Sequence, residues 1–164
     1  MNKAELIIIL LLMISGGAYA ILIILISFGW WRLRKVIDTG IQITDISIIV
    51  PLRNEEGNIT KLLKHLIQQD YPENHFEIIL IDDHSTDASI EEIQRHAISP
   101  LVKTLELNKT LHGKKSAINY GISHASGKLI LTIDADCHPG KQWLRTIAAY
   151  YDNGRYKMLA APLS

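Results

Sequence analysis

Cysteine is almost absent from this 164-residue chain, where Cys137 stands alone. No internal disulfide can form, so a reducing compartment is the expected one, and a metal centre built from clustered thiolates is excluded. Net charge is absent too, because 17 Lys and Arg balance 17 Asp and Glu. A chain with no overall positive field has little with which to condense along a phosphate backbone, and nucleic acid is not an expected partner. Internal repeats and low-complexity tracts are missing. Hydrophobic residues make up 48% of the chain against 21% charged, which excludes a disordered tail.

Another absence is local: from Leu6 to Trp31 no residue carries a charge. About 26 residues rising about 1.5 Å each make a helix of roughly 39 Å, enough to cross a hydrocarbon core of about 30 Å with some tilt. Ala18-Tyr19-Ala20 imitates a signal-peptide cleavage site, yet Ile21 to Ile26 continues the apolar run past it, which favours a retained span. A buried helix of this length in a soluble protein would normally carry a polar stripe. Arg32, Arg34 and Lys35 crowd the downstream end, whereas the upstream end offers Lys3, partly offset by Glu5. Positive flanks stay inside and the indoles of Trp30 and Trp31 suit the headgroup zone, so residues 32–164 are expected on the cytoplasmic face. Gly16-Gly17 lacks the four-residue spacing of a helix-dimer motif. The expected organisation is an anchor over 1–31, a linker over 32–45 and a domain over 46–164.

Beyond the linker the hydrophobic period switches repeatedly between strand and helix. Ile46 to Val50 predicts a strand, and Asn58 an N-cap for a helix whose apolar residues are Ile59, Leu62, Leu63, Leu66 and Ile67. A second strand runs from Phe76 to Ile81, followed by a helix capped by Asp87 and reaching about His96. Val102 to Leu107 is a third strand. Ala117, Ile118, Gly121, Ile122 and Ala125 mark the buried stripe of the next helix. Leu129 to Ile133 is a fourth strand, Trp143, Leu144, Ile147 and Ala148 face a fourth helix inward, and Met158 to Leu163 predicts a fifth strand. Successive β-α units with strands apolar on both faces imply an α/β domain with a mostly parallel sheet flanked by helices. Such sheets bind ligands beyond their carboxyl edge.

The unusual polar residues all follow strands: Arg53-Asn54-Glu55-Glu56, Asp82-Asp83-His84-Ser85, Gly113-Lys114-Lys115 and Asp134-Ala135-Asp136. In a parallel sheet these four loops converge, and acids with adjacent lysines suit a metal ion and a polyanion together. Asp134 and Asp136, two apart at a strand end, point the same way while Ala135 turns aside. Oxygen ligands favour a hard ion, Mg²⁺ or Mn²⁺, which leaves coordination positions for phosphate oxygens. A solvated turn is the plainer alternative for that pair. Asp82 and Asp83 repel and need donors nearby; one of them can accept from a base N–H or ribose hydroxyls, while Ser85, Thr86 and Asp87 serve the next helix as caps. Lys114 can pair with phosphate, or simply be solvated at a helix start. Cys137-His138 cannot easily hold one ion together. His84 and His112 lie in rim loops and remain weak candidates for ligand contact.

With these residues in hand the sequence resembles the family 2 glycosyltransferases, inverting nucleotide-sugar enzymes of the Rossmann-like GT-A fold. The resemblance covers about residues 46–163 through four motifs in family order: Ile48 to Glu56, Ile79 to Asp87, Gly113 to Asn119, and Gly127 through Asp136. It implies that Pro51, Asn54 and Glu55 border the nucleoside pocket, that Asp83, with Asp82 behind it, holds base and ribose, and that Lys114 lies near the nucleotide. Asp134 and Asp136 resemble the Asp-x-Asp element, Asp136 being the better choice for direct metal contact. The implied reaction is a single displacement at the anomeric carbon by an acceptor hydroxyl, on a glycan or lipid-linked acceptor of unknown identity. Family members place an acidic general base further downstream, and polymerising members a Gln-x-x-Arg-Trp element; this chain reaches Ser164 before either. The expectation is a membrane anchor joined to the donor-binding half of a longer enzyme. Its rival is an inactive, membrane-tethered nucleotide-sugar-binding module. A receiver-type domain would need its acidic pair after the first strand, and a dinucleotide-dependent oxidoreductase would need Gly-x-Gly-x-x-Gly there; neither pattern is present.

Overall fold

In a computed structural model of the chain, residues 2–31, 43–96 and 99–153 are described. The chain divides into two units, 1–37 and 38–164. The first contains helix α1 (Lys3–Trp31), apolar on every side and exposed along residues 2–29. It is the one helix, among the described residues, long and apolar enough to cross a membrane. Two of its polar groups bond within the helix and its start: the Asn2 N–H donates to the Glu5 carboxylate at 2.9 Å and the Ser15 hydroxyl to the Leu12 carbonyl at 3.1 Å. The basic flank Arg32, Arg34 and Lys35, most of the expected linker and the expected fifth strand lie outside the described residues.

The second unit is an α/β fold around a four-stranded sheet of order β3-β2-β1-β4, formed by β1 (Ile46–Leu52), β2 (Phe76–Asp82), β3 (Val102–Glu106) and β4 (Leu129–Thr132). All pairings are parallel. Helices α2 (Ile59–Ile67), α3 (Ser89–His96), α4 (Lys114–Ser123) and α5 (Trp143–Asn153) supply the connections and faces. Because a strand alternates faces, Ile46, Ile48, Val50 and Leu52 join Ile78 and Leu80 in one core with Leu62, Leu63 and Leu66 of α2 and Leu144 and Ala148 of α5. Ile49, Ile79 and Ile81 form the other core, with Ala117 of α4 and Leu107.

Only the central strands bury both faces. The expectation that all strands are doubly buried fails at β3, where Lys103, Thr104 and Glu106 are exposed because this strand borders the described sheet. The expected stripe of α4 also narrows to Ala117 and Gly121, while Ile122 is 46% exposed. Gly121 sets the spacing, since a Cβ there would lie 2.6 Å from Ile49 Cγ2. Asn58 occupies the N-cap position of α2 without capping it, and its amide donates to Glu55 Oε2 at 2.9 Å instead. At the amino edge Glu77 accepts the Ser47 hydroxyl and the Ser126 N–H and hydroxyl, and Ser47 accepts the Gly127 N–H. A Cβ on Gly127 would lie 2.5 Å from the Ser47 nitrogen, so this crossing tolerates no side chain. Thr44, just before β1, is pinned by Tyr71 and Asp152 and packs as part of the domain.

Candidate functional site

Parallel pairing puts every strand's carboxyl end at one edge. In register, Leu52 faces Asp82 and Asp82 faces Glu106, while β4 pairs Thr132 with Ile49 and continues through the Ile133 N–H to the Ile49 carbonyl. The chain winds outward from β1 to β3 and returns beyond β1 as β4, so the topology switches between β1 and β4. A crevice opens at such a point. It is a cavity of about 260 Å³, lined by Pro51, Leu52, Arg53 and Glu55 after β1, Asp83 after β2, Lys114 at the start of α4, and Asp134, Ala135 and Asp136 after β4.

Asp134 and Asp136 are exposed while Ala135 between them is 3% exposed, but the cause is a turn rather than the expected strand end: β4 stops at Thr132, and the Cys137 N–H donates to the Asp134 carbonyl at 3.1 Å. The Lys114 ammonium lies 2.6 Å and 2.8 Å from the two Asp134 oxygens, with side chains 61% and 51% exposed, so water weakens the pair. Gly113 enables the entry to α4 with φ +87°, a value that side chains resist. An exposed pair of carboxylates on one turn, one already attracting a cation, fits a hard divalent ion by its donor set. Burial, with Asp136 and Asp134 alongside, pushes the Cys137 thiol above its ordinary value despite a backbone hydrogen bond, so it remains a thiol at neutral pH. His138 stacks on His65 at 5.5 Å.

The adjacent acids Asp82 and Asp83 resolve their repulsion by turning to different donors. Asp82 accepts the Ser85 N–H at 3.2 Å on both oxygens and does not line the cavity. Asp83, 5% exposed, accepts the Gly113 N–H through Oδ2 at 2.8 Å, with the Arg53 guanidinium 4.0 Å away. Its Oδ1 is buried with no hydrogen-bond partner. An unpaired buried acceptor costs about 1–3 kcal/mol, a cost that a ligand donor can remove.

Asn54 does not line the cavity. Its carboxamide oxygen accepts the Thr86 N–H at 2.8 Å, and its own N–H donates to Ser85 Oγ at 3.0 Å. Around it the loops after β1 and β2 are cross-braced: the Glu55 N–H donates to Ser89 Oγ, the Glu56 N–H to Asp87, and the Ala88 N–H to Glu56. Asp87 also accepts the Ser89 N–H at 3.0 Å, and these bonds outweigh desolvation to hold its carboxyl below the usual range. Asn54 and His84 take φ values of 57° and 58°, in the left-handed region where Asn and His are enriched among side-chain-bearing residues. Arg53 is the cavity residue to which sequence reasoning assigned no role; its place directly after a strand was the available signal. His84 and His112 meet beside Asp83, with ring centroids 4.7 Å apart.

A parallel sheet with a carboxylate- and lysine-lined crevice at its switch point defines an α/β protein of the doubly wound type, which binds ligands at that edge. The chain belongs to glycosyl transferase family 2, whose family model matches residues 47–162. It is 33% identical over 106 residues to the poly(ribitol-phosphate) beta-N-acetylglucosaminyltransferase TarS of Staphylococcus aureus, covering 65% of this chain and 18% of TarS. It is 36% identical over 101 residues to the glycosyltransferase AglE of Haloferax volcanii, covering 60% of this chain and 33% of AglE. The chain thus spans a third or less of these relatives' length. Among solved structures, TarS residues 1–349 with UDP-GlcNAc superpose with a TM-score of 0.60 at 33% identity, over 66% of this chain and 31% of that one. The mannosyltransferase PcManGT of Pyrobaculum calidifontis, with GDP-Man and Mn²⁺, gives a TM-score of 0.70 at 24% identity, over 83% and 41%. These neighbours identify the fold as GT-A.

Proposed function

We propose that the chain binds a nucleoside-diphosphate sugar in the crevice between β1 and β4, as the donor for metal-assisted, inverting transfer to an acceptor hydroxyl at the cytoplasmic face of a membrane. The observation that carries this reading is the convergence of Asp83, Lys114, Asp134 and Asp136 on one cavity. Asp83 Oδ1, the buried acceptor without a partner, takes a hydrogen bond from the base or ribose, between Pro51 and Glu55 on one side and Gly113 on the other. Lys114 leaves Asp134 and pairs with the diphosphate, a stronger attraction than its exposed pair with one carboxylate. Asp136 and Asp134 would hold Mg²⁺ or Mn²⁺, which neutralises charge on the departing diphosphate. Asp82 and Asn54 act behind the pocket wall, fixing the loops that present Asp83 and Glu55. The UDP and UDP-GlcNAc complexes of TarS support a nucleoside diphosphate as the common chemistry.

In the reaction the acceptor oxygen forms a bond to the anomeric carbon as the carbon–oxygen bond to the diphosphate breaks. The configuration inverts, the nucleoside diphosphate leaves with the electron pair, and the acceptor hydroxyl's proton passes to an acidic general base of the kind that the family resemblance implies downstream. Calorimetry of UDP and GDP with the full chain in detergent, with Mn²⁺ and then with EDTA, tests the donor site. Metal-dependent binding of either nucleotide is expected; binding of neither, or equal binding in EDTA, would overturn the reading. Alkaline carbonate washing of membranes tests the anchor, and release of the chain into the supernatant would contradict it.

A further inference from the structure

We propose that Asp83, His84 and His112 form a second cation site, suited to an imidazole-preferring divalent ion of the zinc class and set apart from the hard-oxygen pair Asp134 and Asp136. One ligand atom from each of the three residues lies within 4.8 Å of the others. The three come from two loops, after β2 and after β3, and these loops are tied together twice. The Gly113 N–H donates to Asp83 Oδ2 at 2.8 Å, and His84 Nε2 meets the Leu111 carbonyl at 3.1 Å. The carboxylate oxygen left over is Asp83 Oδ1, buried, without a hydrogen-bond partner and 3.9 Å from His84 Nε2. The His84 and His112 rings are tilted by 53° rather than stacked face to face.

Two imidazoles and one carboxylate are a donor set of open zinc sites, whereas Mg²⁺ prefers oxygen alone. Metal–ligand distances of about 2.0–2.2 Å in tetrahedral geometry bring donor atoms to about 3.3 Å from one another, so the cluster must contract to hold an ion. His112 can supply that movement, because it is exposed on the loop between β3 and α4. Nε2 is the His84 nitrogen that lies 3.9 Å from Asp83 Oδ1, so metal binding there gives up its bond to the Leu111 carbonyl and leaves the proton on Nδ1. An ion here also occupies Asp83 Oδ1. Resting on the donor reading above, zinc and the nucleoside would therefore exclude each other, and the transferase would be zinc-inhibited.

The test uses the full chain in detergent micelles, with Zn²⁺ titrated against a chromophoric zinc chelator in excess Mg²⁺ to fill the hard pair. A single Zn²⁺ is expected, and His112→Ala, an exposed position whose folding is checked by circular dichroism, should weaken it by at least roughly the tenfold that even an indirect metal partner contributes. Asp136→Asn should leave zinc affinity in place. No zinc binding, zinc binding that survives both His112→Ala and His84→Gln, or binding lost in Asp136→Asn would each overturn the site. In a second arm Zn²⁺ should raise the apparent Kd for UDP in the parent chain but not in His112→Ala. Zinc bound as predicted by a chain that binds no UDP would uphold this site and sink the donor reading.

Discussion

Two groups of aspartates on the same sheet edge behave in opposite ways. Asp82, Asp83 and Asp87, after β2, are engaged by backbone N–H groups of Ser85, Gly113, Ser89 and Glu56, and the loops they join are held as one braced wall. Asp134 and Asp136, after β4, are exposed to the crevice, and the strong partner of Asp134 is an exposed lysine. The difference is one of local geometry. After β2 the chain folds back on itself into a helix and beside the loop after β1, so donors surround the acids. After β4, which ends at Thr132, the chain enters a turn closed by the Cys137 N–H on the Asp134 carbonyl at 3.1 Å, and that turn leaves both carboxylates exposed while it buries Ala135. Fully braced acids such as Asp82 and Asp87 build the wall; Asp83, braced on Oδ2 alone, keeps Oδ1 for a ligand, and the exposed Asp134 and Asp136 are available outright.

Substitution on each side can break that contrast. Asp136→Ala should reduce Mn²⁺-dependent nucleoside-diphosphate affinity by about a hundredfold, or about 2.7 kcal/mol, while changing unfolding free energy by less than about 0.5 kcal/mol. Calorimetry and denaturant melts read the two effects separately, and a stability loss without an affinity loss would reverse the assignment. Ser89→Ala should show the opposite profile. Its fully buried hydroxyl serves both Glu55 and Asp87, so its removal should cost about 1–3 kcal/mol in a urea melt with nucleotide affinity nearly unchanged.

Lys114→Met should weaken nucleoside-diphosphate binding about tenfold, about 1.4 kcal/mol, again with little effect on stability. Unchanged affinity would mean that the lysine is only a solvated neighbour of Asp134. The smallest effect concerns Glu77, a braced acid at the far edge of the sheet. Desolvation pulls its pKa up, but Ser47, Ser126 and Lys103 together outweigh it and hold the carboxyl below its ordinary value near 4.5. With the folded value the lower one, the stabilisation is complete above the unfolded value and lost as pH falls through the folded value. Acid titration of stability should therefore be shallower in Glu77→Gln than in the parent chain. Equal slopes would show that the brace contributes nothing through ionisation.

Much of the architecture was legible because period-2 and period-3.6 patterns are written locally. Ile46 to Val50, Phe76 to Ile81 and the α2 stripe through Leu62, Leu63 and Leu66 all occupy the elements that their spacing implies. The exposure of Asp134 and Asp136 around a buried Ala135 matched the expectation for a different reason, since a turn rather than a strand presents them. Ile122 misled because a helical stripe admits only a narrow sector once Gly121 draws α4 against Ile49, leaving the next residue outside. Asn54 misled because its partner, Thr86, belongs to another loop.

What the sequence determined by itself was the set of elements, the apolar helix Lys3–Trp31, and the placing of acids and a lysine directly after strands. What tertiary structure alone decided was which of those side chains are held and which face the crevice. Asp83 takes its donor from Gly113, and Lys114 meets Asp134, across stretches of chain that no local period spans. Side-chain alternation fixes the side on which a residue leaves its strand, but its partner is set by where the neighbouring loop returns, and only the assembled parallel sheet brings those loops to one edge.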